Sequence, residues 1–132
     1  MASEELHEPA EALRPETIDY HRAVVSLMEE LEAVDWYAQR VDATQDSELA
    51  AVLAHNRDEE KEHAAMVLEW LRRHDAEFDK QLRNYLFTDS PILEREEELE
   101  AAEADGSEGE SGSRNDDSGS LDIGSLRGEL HA

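Results

Sequence analysis

A chain of 132 residues has room for one small domain, and its 35 acidic against 12 basic side chains, for a formal net charge of -23, repel nucleic acid and anionic membranes while attracting cations. The absence of cysteine excludes disulfides, thiolate metal ligands and thiol catalysis, and fits a reducing compartment. No apolar run approaches the roughly 20 residues of a membrane span, and the acidic start Met1-Ala2-Ser3-Glu4-Glu5 is unlike a secretion signal, so a soluble cytoplasmic protein is expected.

Residues 1–13 lack a sustained apolar period and read as a flexible N-terminus. Pro15 suits the first turn of a helix, where its missing N–H would be unpaired in any case. From Glu16 to about Ala43 there is no glycine or proline, and the apolar spacing is helical. Thr44-Gln45-Asp46-Ser47 supplies a turn, with Asp46 or Ser47 as N-cap of a second helix over about Ser47 to His74. So short a connection predicts an antiparallel hairpin. A third, shorter helix carries Phe78, Leu82, Tyr85 and Leu86 on one face and stops before Ser90-Pro91. A two-helix hairpin leaves that face little to cover, which assigns it to another subunit. The helical half-bundle is thus expected over residues 14–92. An acidic run, Glu96-Glu97-Glu98-Leu99-Glu100, then opens a Gly/Ser-rich linker expected over 93–120. The spaced aliphatics of Leu121-Asp122-Ile123-Gly124-Ser125-Leu126-Arg127 within the last segment, 121–132, look like a docking peptide on a tether.

The two long helices carry facing seams. The first runs Tyr20, Ala23, Leu27, Glu30, Val34, Tyr37, Val41, and the second Leu49, Leu53, Asn56, Glu60, His63, Val67, Trp70. Glu30, Glu60 and His63 therefore share one layer at mid-seam, where ionisable groups need a cation between them. Glu60 and His63, three apart, reach the same point from one helix face. A Glu on one helix with Glu-x-x-His on its neighbour is half of the carboxylate di-metal site of ferritin-like bundles. One chain supplies one half, so a two-fold dimer is expected to complete both the bundle and the site. Oxygen and nitrogen donors suit iron, manganese or zinc without choosing among them. Tyr37, one heptad beyond Glu30, is placed to donate a hydrogen bond to a ligand or to act as a redox neighbour.

A second set, Glu29, Glu32 and Trp36 with Glu59 and Glu62 on the other helix, reads either as a route by which cations enter the bundle, calcium among them, or as a solvated helix face. His55 and Glu59 are four apart and lack the further histidines of a haemerythrin-type site. Met66 and Trp70 read as packing, and His21 and His74 carry no readable role. A non-catalytic acidic scaffold that binds divalent cations, and a purely structural helical dimer, remain alternatives to an enzyme.

The stretch Met28-Glu29-Glu30-Leu31-Glu32-Ala33-Val34-Asp35-Trp36-Tyr37, together with His55-Asn56-Arg57-Asp58-Glu59-Glu60-Lys61-Glu62-His63-Ala64-Ala65-Met66, resembles the encapsulated ferritins of bacteria over about residues 9–92. The segment Leu121 to Arg127 is similar to the peptides that load cargo into encapsulin shells. The resemblance implies an all-α fold in which paired chains build a ferritin-like four-helix bundle and dimers form an annular decamer. It implies a ferroxidase that supplies iron for storage in an encapsulin nanocompartment. It also implies Glu30, Glu60 and His63 as di-iron ligands, Tyr37 as neighbour of that centre, and Glu29, Glu32 and Trp36 as the site where metal enters.

Overall fold

A computed structural model describes residues 5–108 of the chain. All its regular structure is helical among these residues: a 3-10 turn at Ala10–Ala12 precedes α1 (Pro15–Ala43), α2 (Ser47–His74), α3 (Ala76–Tyr85) and α4 (Ile92–Glu108). They form two compact units, one ending at Phe87 and the other beginning at Thr88.

In the first unit, Pro15 occupies the first turn of α1, as its fixed backbone angle favours. The three residues after Ala43 reverse the chain, and α1 and α2 pack along each other as a hairpin. Asp46 is the cap of α2, its carboxylate accepting from the Leu49 amide at 2.8 Å. A single extended residue, Asp75, separates α2 from α3. Its two carboxylate oxygens are used separately: one accepts from the Phe78 amide at 2.9 Å and caps α3, the other accepts from the Tyr20 hydroxyl at 2.8 Å. That bond pulls the Asp75 carboxyl below its ordinary range, after the Phe78 amide as the larger cause, and raises the Tyr20 phenol. Arg72 of α2 reaches both Glu69 and Asp79, tying α3 back to α2.

Two expectations need correction. α3 packs on α2 of its own chain, with Phe78, Leu82 and Tyr85 half-buried, because the Asp75 break turns it back; Leu86 lies beyond the helix and is exposed. The second concerns the linker expected from residue 93, of which α4 takes the first part through Glu108. Pro91 starts it, its carbonyl accepting from the Arg95 amide at 2.9 Å, and the sequence down to Asp105 is mostly Glu, Leu and Ala, all good helix formers except the last aspartate. The docking segment 121–132 lies outside the described residues.

The hairpin has almost no interior of its own. Among the described residues only Ala64 and Leu71 are buried apolar side chains, whereas Leu31, Trp36, Leu49, Val52 and Met66 are each about half exposed or more. Seams that read as core in the sequence are, in one chain, half a core.

Candidate metal centre

The mid-seam layer forms as its spacing predicts. Glu30 projects from α1, Glu60 and His63 from one face of α2, and one donor atom from each lies within 4.8 Å of the others. His63 Nδ1 is 3.7 Å from a Glu30 oxygen and 3.6 Å from a Glu60 oxygen. Among the described residues this is the only group of three or more His, Asp or Glu side chains that converges in this way. The two carboxylates are about a quarter exposed and the imidazole about half. The protein covers one side of the layer and leaves the other open.

Electrostatics distinguishes this layer from the other acidic positions. Glu69 is held down to about 2 by Arg72, with Arg73 adding to the effect and burial opposing it. Glu30 goes the other way: sharing a hydrogen bond with Glu60 raises its carboxyl above the ordinary range, desolvation and the charges of Glu60 and Glu29 add to this, and only His63 opposes. No lysine or arginine pairs with Glu30 or Glu60 among the described residues. Two carboxylates and one imidazole facing one point without a lysine or arginine partner form a donor set that fits a divalent metal of the iron, manganese or zinc type.

The remaining sequence-derived residues are not drawn into this group. Tyr37 is half-buried one heptad along α1, with the Arg40 guanidinium carbon 5.5 Å from its ring centre, and no hydrogen bond joins it to the three donors within the chain. Glu29 is exposed, Glu32 half-buried and Trp36 half exposed, and they do not converge with a third ligand. Trp36 instead lines an open depression with Gln39 and Arg40. Glu59 ion-pairs with His55 at 2.9 Å along α2, and Glu62 is exposed.

Two features escaped the sequence reading. Met66 and Trp70, expected as packing, line an open groove of about 480 Å³ with Ala23, Ser26 and Val67, beside the layer of Glu30, Glu60 and His63. His74 stacks on Trp70 with ring centres 3.8 Å apart, and its Nδ1 lies 2.7 Å from the Trp70 carbonyl. Their four-residue spacing was the available signal.

Comparison with known proteins adds four findings. The EncFtn-like family model matches residues 5–89. An encapsulated ferritin-like protein of Rhodospirillum rubrum is 59% identical over 129 residues, 98% of this chain and 92% of that protein. A ferritin-like protein of Thermotoga maritima is 55% identical over 96 residues, 73% and 84% of the two chains. Among solved structures, protein ne0167 from Nitrosomonas europaea superposes with a TM-score of 0.65 at 66% identity, covering 66% of this chain and 96% of that one.

Proposed function

The chain belongs to the EncFtn-like family, and on that footing we propose that it is a ferroxidase, oxidising Fe(II) to Fe(III) with dioxygen at a centre shared by two subunits. The observation that carries the reading is the convergence of Glu30, Glu60 and His63 within 4.8 Å, with no lysine or arginine among the described residues paired to the two carboxylates. Iron is the substrate. Glu30 and Glu60 would bind Fe(II) through oxygen and offset its charge, and His63 would bind through Nδ1, the nitrogen that faces both carboxylates. The raised Glu30 carboxyl must be ionised to bind the metal, so affinity is expected to rise with pH.

The open side of the layer and the scarcity of buried side chains support pairing of two copies, which would bring a second Glu30, Glu60 and His63 to the same place and close a four-helix bundle. Tyr37 would stand next to that centre, and Glu29, Glu32 and Trp36 would gather incoming cations, iron or calcium, at the bundle's edge. The name of the Rhodospirillum relative, an encapsulated ferritin-like protein, supports placement inside a shell; in the same proposal that shell is an encapsulin in the cytoplasm, with Leu121 to Arg127 as the docking peptide and an annular decamer as the assembled form. No helix among the described residues is long and apolar enough to cross a membrane.

Anaerobic loading with Fe(II) followed by air tests the reaction. The wild-type chain is expected to consume dioxygen, with Glu60→Ala and His63→Ala losing that consumption; a wild-type rate in either variant refutes the assignment. The net charge favours one other reading, an acidic scaffold that binds divalent cations, which would bind iron and consume no dioxygen.

A further inference from the structure

Tyr20 has a proton acceptor built beside it that the oxidation of iron does not use. Its hydroxyl donates to one Asp75 oxygen at 2.8 Å, while the other is held by the Phe78 amide at 2.9 Å. The Phe78 amide first, and the Tyr20 hydroxyl after it, hold the Asp75 carboxyl below its ordinary range; the bond to Asp75, then burial, raises the Tyr20 phenol. At rest the pair is therefore a phenol facing a carboxylate. Loss of an electron turns a phenol into a strong acid, and here its proton has a place to go in one short step.

The seam connects this pair to the layer of Glu30, Glu60 and His63. Tyr20 lies ten residues before Glu30 on α1, and Asp75 twelve after His63 at the end of α2, which runs the opposite way. Both therefore stand about 15–18 Å to the same side of the layer. Trp70, seven residues after His63, stands between the layer and the pair, about 10 Å from the former. It lines the open groove with Asp19, Arg22 and Ala23, the turn of α1 that carries Tyr20. His74 stacks on the Trp70 indole with ring centres 3.8 Å apart and fixes its plane. An indole followed by a phenol with its own base is a path along which an electron can reach the layer in two short steps. Tyr37 is less suited. The Arg40 guanidinium carbon lies 5.5 Å from its ring centre, where a cation makes loss of an electron harder, and no carboxylate among the described residues accepts its proton.

We propose that Tyr20, through Trp70, supplies an electron for the reduction of hydrogen peroxide when the layer holds a single Fe(II), with Asp75 taking the phenol proton. The inference rests on the iron site of the proposed function and adds a second reductant to it. Reduction of peroxide to two hydroxide ions breaks the O–O bond and takes two electrons. One Fe(II) supplies the first and becomes Fe(III). Trp70 gives the second and regains it from Tyr20, whose O–H bond breaks as the Asp75 carboxylate becomes a carboxylic acid. Peroxide, Fe(II), phenol and carboxylate thus yield two hydroxide ions, Fe(III), a tyrosyl radical and a carboxylic acid. One electron from a small reductant such as ascorbate, with return of the proton from Asp75, restores the pair. The oxidising equivalent is drawn away from the side chains that bind iron and ends at the α2–α3 joint.

Freeze-quench electron paramagnetic resonance tests the path. The full chain is loaded anaerobically with less Fe(II) than it has sites, mixed with hydrogen peroxide and frozen at intervals, with ring-deuterated tyrosine or tryptophan incorporated to identify the radical. The wild-type chain is expected to give a tyrosyl radical that ascorbate removes and that forms more slowly in heavy water, because a proton moves with the electron. Tyr20→Phe should lose the tyrosyl signal and leave an indole radical in its place. Trp70→Phe should lose both. Asp75→Asn, which keeps an acceptor for the Phe78 amide and so the cap of α3, should lose the tyrosyl signal and retain the indole one. Circular dichroism confirms that each variant is folded. His63→Ala should give no radical, since peroxide and iron free in solution would oxidise tyrosines without the layer. A tyrosyl signal of wild-type size in folded Tyr20→Phe, Asp75→Asn or His63→Ala overturns the proposal. A wild-type chain that neither binds Fe(II) nor forms Fe(III) refutes the iron site of the proposed function, whereas one that forms Fe(III) without a tyrosyl radical refutes the path alone.

Discussion

Replacing Glu30 with glutamine is expected to stabilise the metal-free fold while removing its response to iron. The donor oxygens of Glu30 and Glu60 lie within 4.8 Å. Two full charges at that separation repel by about 3 kcal/mol at an effective dielectric of about 20. Each carboxylate is about a quarter exposed, and His63 offsets part of the repulsion, so about 1–2 kcal/mol remains as destabilisation at neutral pH. Glutamine has the same shape, loses the charge and can donate to Glu60. The pH dependence follows from the raised Glu30 carboxyl. An acid whose native pKa lies above its unfolded one binds more protons when folded, so its stabilisation is complete below the ordinary carboxyl range and is lost as pH rises through the native value. The advantage of Glu30→Gln should therefore grow with pH. Urea unfolding followed by circular dichroism, with chelator and at one protein concentration, measures it: a gain of about 1–2 kcal/mol at about pH 7.5 and less at about pH 5. Anaerobic Fe(II) should then stabilise the wild-type chain and leave the variant unchanged. A variant less stable than wild type in chelator at neutral pH, or an equal gain at both pH values, would refute the reasoning.

Tyr20→Phe removes a half-buried donor that ties α1 to the α2–α3 joint, and it should cost about 1 kcal/mol in urea unfolding, with faster amide exchange in α3 than in α1. Glu69, depressed to about 2, contributes stability that is present above the ordinary carboxyl range and lost as pH falls towards that value. Arg72→Ala should therefore move acid unfolding, followed by circular dichroism, to higher pH; an unchanged acid midpoint would show that the arginine contacts do not matter there. Deleting residues 121–132 should leave Fe(II) oxidation at the wild-type rate and abolish co-purification with an encapsulin shell, and retained co-purification would exclude the docking role.

The elements that position the donors could be read from the sequence because their signals are local. Pro15, the uninterrupted helical spacing to Ala43 and the cap at Asp46 set α1 and α2, and the Glu-x-x-His spacing then brings Glu60 and His63 to Glu30. Long-range pairs were not legible. Nothing in the spacing links Tyr20 to Asp75, 55 residues away, because that bond depends on where α1 and the α2–α3 joint meet in space. α4 was missed for a different reason: acidic composition suggested a solvated linker, yet glutamate and alanine are good helix formers and Pro91 supplies a start. The groove escaped because periodicity marks which positions face inwards and does not measure how well they fill the space.

That last point bears on the metal layer itself. Leucines at positions 30, 60 and 63 would pack against a partner hairpin and need nothing more. Two carboxylates and an imidazole in their place remove apolar surface from the middle of the seam and add repulsion that His63 relieves only in part and no lysine or arginine among the described residues relieves. Association in the proposed dimer then draws on what flanks the layer, the groove with Trp70 and Met66 on one side and Val34 and Tyr37 on the other, while the layer itself opposes pairing until a cation enters. Iron and the second subunit should accordingly bind with positive linkage, each raising the other's affinity by the same factor. Sedimentation across a series of anaerobic Fe(II) concentrations would measure that factor, and a dimer constant independent of iron would mean that the layer is neutralised within one chain.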